Sequence, residues 1–251
     1  MQFSVLSSGS KANSTFVEAA STRILIDCGL SARRLEERLA LHRIDPATIQ
    51  GILITHEHSD HILGLSVFSR RHRIPVYANR ATARHLDRVY ALEKIVSGES
   101  FWVGALQILP VSIEHDADDP VGYVVQAEGL KFSQMTDLGR VTPQVEEALR
   151  GSWAFVLESN HDQIMLRDCS YPYELKRRIA SSQGHLDNDT SANLVANLLH
   201  GDLQRVVLGH LSENSNTPEK ALETFRRYVP RERFDQVMCA SVHAATPLFA
   251  L

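Results

Sequence analysis

The stretch Ile52-Leu53-Ile54-Thr55-His56-Glu57-His58-Ser59-Asp60-His61 constrains this chain more than any other. Four apolar or β-branched residues read as a buried strand, and three histidines with one aspartate follow within six positions. Extended backbone through His56 and His58 turns both imidazoles to one side, because side-chain direction alternates along a strand. Asp60 and His61 fall where Ile62, Leu63, Leu65 and Phe68 begin a helical pattern, so they project from a turn at the strand's carboxyl end. Neutral imidazole and carboxylate are borderline-to-hard ligands suited to zinc, iron or manganese. Two ligands at alternate positions and two more at the turn crowd a single ion and fit two neighbouring ones. A polar loop with several exposed histidines is the alternative, but it leaves the apolar flanks and the paired spacing as coincidences.

The remaining chain alternates strands and helices. Strands are predicted at 3–6, 15–18, 23–26, 75–78, 101–103, 106–111, 121–127, 130–133, 153–158, 205–209 and 236–242. Helices are predicted at 31–41 with Ser31 as N-cap, and at 61–72, 82–90, 143–150, 172–180, 190–199 and 218–228. No repeat, linker or low-complexity segment interrupts them, so residues 1–251 are expected to form one domain. Strands cluster with helices in two successive halves, which suits two sheets packed face to face with helices outside.

Composition sets limits. The hydrophobic share of 43% and charged share of 22% are ordinary for a globular protein. A net charge of −4 excludes a globally basic nucleic-acid binder, though not a local basic groove. Arg33, Arg34 and Arg38, Arg70, Arg71 and Arg73, and Lys176, Arg177 and Arg178 form local clusters that would either meet phosphates or be solvated helix faces. No aromatic stacking platform is evident beside them. Cys28, Cys169 and Cys239 are scattered, odd in number and without a CxxC pair, which points to a reducing compartment. The first residues lack the apolar core of a signal peptide, and no apolar run nears the roughly 20 residues that cross a bilayer. A cytoplasmic protein without membrane contact is expected.

Several later residues join the first cluster. Asp27 closes the strand at 23–26 and serves either as partner to a ligand imidazole or as a turn cap. The loop Ser7-Ser8-Gly9-Ser10-Lys11-Ala12-Asn13-Ser14 would present backbone N–H groups to an anion or be a solvated turn. His115, Asp137 and His210 each end an apolar stretch; singly, each is more simply a structural residue or a cap.

Taken together, His-x-His-x-Asp-His after an apolar strand, with His115, Asp137 and His210 in that order, resembles the signature of the metallo-β-lactamase fold superfamily. Within it the chain is most similar to the YycJ/WalJ type of nuclease-like protein. Gly9-Ser10-Lys11-Ala12-Asn13-Ser14, His115-Asp116-Ala117, Thr136-Asp137-Leu138-Gly139, Glu158-Ser159-Asn160-His161-Asp162, Gly184-His185-Leu186-Asp187-Asn188 and Gly209-His210-Leu211-Ser212 carry that likeness over about residues 3–215. Asp187 departs from the serine expected there.

The resemblance implies an α/β fold, an αββα sandwich of two packed mixed β-sheets flanked by helices. It implies two divalent ions, zinc or manganese or else iron. His56, His58 and His115 would hold one, Asp60, His61 and His210 the other, and Asp137 would bridge them. Asp27 would support a ligand histidine. Such a pair activates a shared hydroxide and stabilises both oxygens of an in-line displacement. The implied activity is that of a metal-dependent phosphodiesterase, a 5′-to-3′ DNA exonuclease. Catalysis would rest on Asp60, Asp137 and His185, the last as general acid for the leaving oxygen. Asn160, His161, Asn188 and Ser14 would contact substrate phosphate. A hydrolase of a cyclic phosphodiester, thioester or lactone shares the same metal core. A di-iron oxidoreductase is disfavoured because those members commonly carry Glu where His58 stands, and no flavin domain follows.

Overall fold

Runs such as Ile24-Leu25-Ile26 and Ala154-Phe155-Val156-Leu157 are apolar at every position, which requires cover on both faces of the sheet that holds them. A computed structural model, describing residues 1–251, supplies that cover in four layers. The first sheet is built from β1 (Gln2–Ser7), β2 (Ser14–Ala19), β3 (Thr22–Ile26), β4 (Gly51–Leu53), β5 (Pro75–Asn79) and β6 (Ala91–Ile95). The second comprises β7 (Phe101–Val103), β8 (Leu106–Ser112), β9 (Val121–Ala127), β10 (Leu130–Met135), β11 (Ala154–Glu158), β12 (Arg205–Gly209) and β13 (Val237–Cys239). A last strand, β14 (Phe249–Ala250), returns to the edge of the first sheet.

The strand orders are β14-β1-β2-β3-β4-β5-β6 and β13-β12-β11-β10-β9-β8-β7. Both sheets are mixed in the same way, antiparallel on one side and parallel on the other. β3 to β6 pair in parallel, as do β10 to β13. Parallel strands send their carboxyl ends to one side, where open α/β sheets place their ligand sites. The two parallel halves thus define one rim.

The helices are α1 (Ala32–Leu41), α2 (Ser59–Ile62), α3 (Leu65–His72), α4 (Pro143–Leu149), α5 (Gln163–Asp168), α6 (Tyr173–Ile179), α7 (Asn188–Leu198) and α8 (Pro218–Tyr228). Alternation along each strand sorts its side chains between layers. Phe3, Val5, Ile24, Ile26 and Leu53 meet Ile108, Tyr123, Phe132, Val156 and Val207 between the sheets. On the outer face of the first sheet, Phe16, Leu25 and Ile52 pack with Leu35 and Leu39 of α1 and Phe68 of α3. Phe155, Leu157, Val206 and Leu208 pack outward with Val145 of α4, Val195 of α7 and Phe225 of α8. This is the expected αββα sandwich.

Several element boundaries differ from expectation. The helix predicted at 61–72 is two helices, α2 and α3, broken at Gly64, where a Cβ would lie 2.0 Å from the Leu30 carbonyl oxygen. The backbone of Gly64 is pressed against the loop that carries Leu30. The helix predicted at 82–90 is a single 3-10 turn, Thr82–His85, and the chain then forms β6. Ala91–Ile95, for which no element was predicted, pairs in parallel with Pro75–Asn79. Only Val237–Cys239 of the strand predicted at 236–242 joins the sheet. The short α5 and β14 were not expected. Ser31 does cap α1, its hydroxyl accepting from the Arg34 amide.

Candidate metal centre

The rim carries the candidate residues, delivered by strand ends. Asp27 follows β3, and the chain beyond β4 runs through Thr55 and His56. His115 follows β8, Asp137 follows β10, β11 ends in Glu158, and His210 follows β12. Asp27, Asp137 and His210 adopt positive φ values of 63°, 59° and 54°. Left-handed backbone at non-glycine residues turns each side chain away from its strand's alternation, and such conformations concentrate at functional sites.

Two clusters form. One ligand atom each from His56, His58 and His115 lies within 4.8 Å of the others. The second cluster is Asp60, His61 and His210, with His61 Nε2 3.3 Å and His210 Nε2 3.6 Å from Asp60 Oδ2. Asp137 lies between them. Its Oδ2 is 3.3 Å from His61 Nε2, and its Oδ1 is 3.2 Å from His210 Nε2 and 4.0 Å from His115 Nε2. Donors held 2.0–2.1 Å from one tetrahedral ion lie roughly 3.3 Å from each other. The 3.2–3.6 Å separations among Asp60, His61, His210 and Asp137 match that spacing.

Three of the polar atoms at these clusters have no hydrogen-bond partner. His56 Nε2, His210 Nε2 and Asp137 Oδ2 are buried and make no hydrogen bond. Buried polar atoms are otherwise satisfied almost without exception, so three orphans aimed at one another fit cations between them. Their rings are fixed from behind. His61 Nδ1 is 2.8 Å from Asp27 Oδ2, and Asp27 Oδ1 accepts from the Thr55 amide and hydroxyl at 2.9 and 3.0 Å. Thr55 Oγ1 also meets His56 Nδ1 at 3.0 Å. His115 Nδ1 donates to the Gly184 carbonyl at 3.1 Å, and His210 Nδ1 to Glu158 Oε1 at 2.9 Å. Anchoring Nδ1 selects the tautomer that presents Nε2 as a metal ligand.

In the metal-free chain the electrostatics divide these histidines. Burial, then the neighbouring His61, pushes His56 well below its ordinary value, and burial likewise lowers His115. Both imidazoles are neutral and ready to coordinate. Burial also opposes charge on His61 and His210, but the carboxylates win. Asp137 and Asp27 hold His61 well above its ordinary value, while Asp137, Asp60 and Glu158 push His210 up to about 10.

Glu158 was not among the site residues expected from sequence. It is fully buried, and its Oε1 accepts from His185 Nδ1 at 2.8 Å as well as from His210. Its Oε2 accepts from the Leu138 and Leu186 amides at 2.9 and 3.2 Å. Burial raises its carboxyl, yet the His185 and His210 imidazoles hold it down at about 2. With both oxygens engaged by donors, Glu158 supports the histidines and is not itself placed as a ligand. A carboxylate closing an apolar strand was the available signal, the same one that marked Asp27.

His185 stands between the two clusters, its ring 5.1 Å from that of His115 and 5.0 Å from that of His210. Its side chain is 19% exposed. It lines a pocket of about 160 Å³ with Ser10, Asp116, Asn160 and Arg178, and a neighbouring groove of about 970 Å³.

The four expected phosphate contacts fare differently. His161 lines the groove with its Nδ1 buried and unpartnered, and Asn160 lines the small pocket while donating to the His210 carbonyl at 2.9 Å. Ser14 and Asn188 are corrected by their burial. Ser14 Oγ donates to the Asp27 carbonyl at 2.9 Å, and the Asn188 amide is bound to Ser159 and Asn216. Both side chains brace loops from inside, with no face toward a substrate. In the loop of residues 7–14, two of the backbone amides are already occupied. The Gly9 amide is taken by Asn13 Oδ1 and that of Asn13 by the Asp60 carbonyl, while Asn13 Nδ2 donates to Asp60 Oδ2 at 3.0 Å. Asn13 and Ser8, whose hydroxyl accepts from the His210 amide at 2.8 Å, are further supports that sequence reasoning missed. Asp187, the departure in its loop, caps α7. His243 lies on the surface, 3.8 Å from Glu213.

Of the three basic clusters, only the one on α6 borders the site: Lys176 and Arg177 line the groove and Arg178 the small pocket. No helix is long and apolar enough to cross a membrane.

Comparison with known proteins agrees with this geometry. A family model described as "Beta-lactamase superfamily domain" matches residues 22–211. The chain is 33% identical to the exodeoxyribonuclease YycJ of Bacillus anthracis over 98% of its own length and 96% of the relative's. It is 34% identical to the exodeoxyribonuclease WalJ of Streptococcus pneumoniae over 88% and 85% of the two chains. The metallo-β-lactamase fold protein YhfI of Bacillus subtilis superposes with a TM-score of 0.76 at 11% identity over 98% of each chain. Human tRNase Z, short form, gives 0.68 at 16% identity over the full length of both. With its strand order, its rim of histidines and carboxylates and these relatives, the chain belongs to the β-lactamase superfamily and has the metallo-β-lactamase fold.

Proposed function

We propose that this protein is a dinuclear metal-dependent phosphodiesterase, a DNA exonuclease that digests from the 5′ end. The observation that carries the reading is the convergence of His56, His58, His115, Asp60, His61, His210 and Asp137, among which His56 Nε2, His210 Nε2 and Asp137 Oδ2 are buried without a hydrogen bond. Two divalent ions bound there, zinc or manganese or iron, would polarise a phosphoryl group and neutralise the charge that builds on it. His56, His58 and His115 would hold one, Asp60, His61 and His210 would hold the other, and Asp137 would be available to both. Asp27, Thr55 and Glu158 orient the imidazoles. His185 delivers a proton from Nε2 to the leaving oxygen, because Nδ1 is committed to Glu158. Asn160 and His161 border the approach of the scissile phosphate.

The polynucleotide reading is favoured over hydrolysis of a small ester by the groove beside His185. Four cations line it, a row of positive charge suited to successive backbone phosphates. One domain over residues 1–251 carries the whole site. The three free cysteines suit a reducing, cytoplasmic setting.

The test is digestion of 5′-phosphorylated duplex DNA by the metal-reconstituted protein beside an Asp60→Ala variant, with a chromogenic phosphodiester and a thioester as competing substrates. Release of nucleotides from the 5′ end by the wild type alone is expected. Equal digestion by both proteins, or turnover of the thioester only, contradicts the proposal.

A further inference from the structure

The groove beside His185 offers more than positive charge. It is walled by α5, α6 and the turn after Asp137, and Arg140, Arg167, Lys176 and Arg177 line it together with Tyr171 and Tyr173. In a chain of net charge −4, four cations here face a single carboxylate, Asp187, which is already committed as the cap of α7. Their present partners are weak competitors. Arg140 pairs with Glu114, Arg167 with Asp168 at 2.7 Å and Arg177 with Glu174 at 3.7 Å, all exposed ion pairs that contribute little and exchange readily for phosphate. Lys176 Nζ is bound only to the Arg167 carbonyl, at 2.6 Å.

The aromatic side chains supply the second element. Tyr173 is 72% exposed, too much surface for a core residue, and the Arg177 guanidinium carbon lies 5.9 Å from its ring centroid. Tyr171, its hydroxyl accepting from Asn214 at 2.7 Å, lines both the groove and the small pocket, and His185 lines both as well. A continuous path therefore runs from the exposed tyrosine to His185, beside the candidate metal centre. Basic lining tracks a sugar-phosphate backbone, and exposed rings accept any base by stacking. Bases in a duplex have no free face to offer such a ring.

The geometry points to a single-strand track: the DNA strand being digested enters unpaired, its phosphates on Lys176 and the arginines and a base stacked on Tyr173. The proposal rests on the nuclease reading and deepens it, since it defines the state of the strand that the centre receives.

Initial rates of the metal-reconstituted protein on a short, single-stranded, 5′-phosphorylated oligothymidylate test it across a salt series. Loss of one stacked base in Tyr173→Ala raises KM by about 5- to 100-fold with kcat little changed, and Tyr173→Phe restores it. Lys176→Gln removes one phosphate contact and lowers the slope of log KM against log salt by about 0.7. An unchanged KM in Tyr173→Ala, or an unchanged salt slope in Lys176→Gln, overturns the track and leaves the nuclease reading standing. A wild type that digests 5′-phosphorylated duplex DNA but not the single-stranded oligonucleotide overturns the track alone, and one that cleaves neither overturns both.

Discussion

Glu158 Oε1 accepts a hydrogen bond from His185 Nδ1 at 2.8 Å while the same oxygen holds His210 at 2.9 Å. One buried carboxylate therefore orients both the candidate proton donor and a candidate ligand. In Glu158→Gln the charge is lost, and the new amide cannot accept from two imidazoles and two backbone amides at once. Loss of such a supporting carboxylate costs about 10–100-fold in metal affinity or activity. The measurement is kcat together with metal content; activity within about threefold of wild type at full metal loading would contradict this role.

His185 acts on the leaving group and holds no ion in this account. His185→Ala should keep its metal content and lose about 10²–10⁴ in kcat on DNA. On an ester with a nitrophenolate leaving group, which departs without protonation, the loss should be much smaller. Equal losses on both substrates would remove His185 from proton transfer.

Metal binding should release protons. In the metal-free chain His61 lies well above its ordinary 6.5, and His210 is pushed up to about 10, so both are charged at pH 7. A cation binds only the neutral imidazole, so each ligand must give up its proton. Affinity consequently rises with pH, by up to two log units per pH unit near neutrality, and levels off for His210 above about 10. The same raised values stabilise the metal-free fold at low pH, fully below 6.5, and that contribution is lost as pH climbs through about 10. Titration calorimetry in buffers of different ionisation enthalpy counts the protons. Heats independent of the buffer would contradict the assignment.

Gly29 holds the Asp60 loop by close approach: a Cβ there would fall 1.6 Å from the Asp60 carbonyl oxygen. Gly29→Ala should destabilise the fold by about 1–3 kcal/mol and displace Asp60. At roughly 2–4 °C per kcal/mol for a chain of this size, thermal melting resolves the change. Gly201→Ala, where a Cβ meets nothing within 4 Å, is the control and should melt with the wild type.

Much of this architecture was legible because the relevant signals are local. His56, His58, Asp60 and His61 fall within six positions, and Asp27, His115, Asp137 and His210 each stand at the end of an apolar run that reads as a strand. Glu158 had the same signature, but its importance lies in donors 27 and 52 positions away, which no local pattern announces. Strand β6 was not predicted at all, because its stability comes from pairing with Pro75–Asn79 across the sheet edge and not from a local pattern. Ser14 and Asn188 look like phosphate contacts in sequence, since a hydroxyl and an amide in polar loops do not reveal which way they face. The groove was missed for the opposite reason: Tyr171 and Tyr173 become a platform only when α6 is set beside His185.

The most direct measurement is the anomalous diffraction of crystals grown with zinc or manganese. Two ions are predicted, one among His56, His58 and His115, the other among Asp60, His61 and His210, both in contact with Asp137. A single ion at saturating metal, or an ion pair that leaves Asp137 or His210 uncoordinated, would contradict the dinuclear centre.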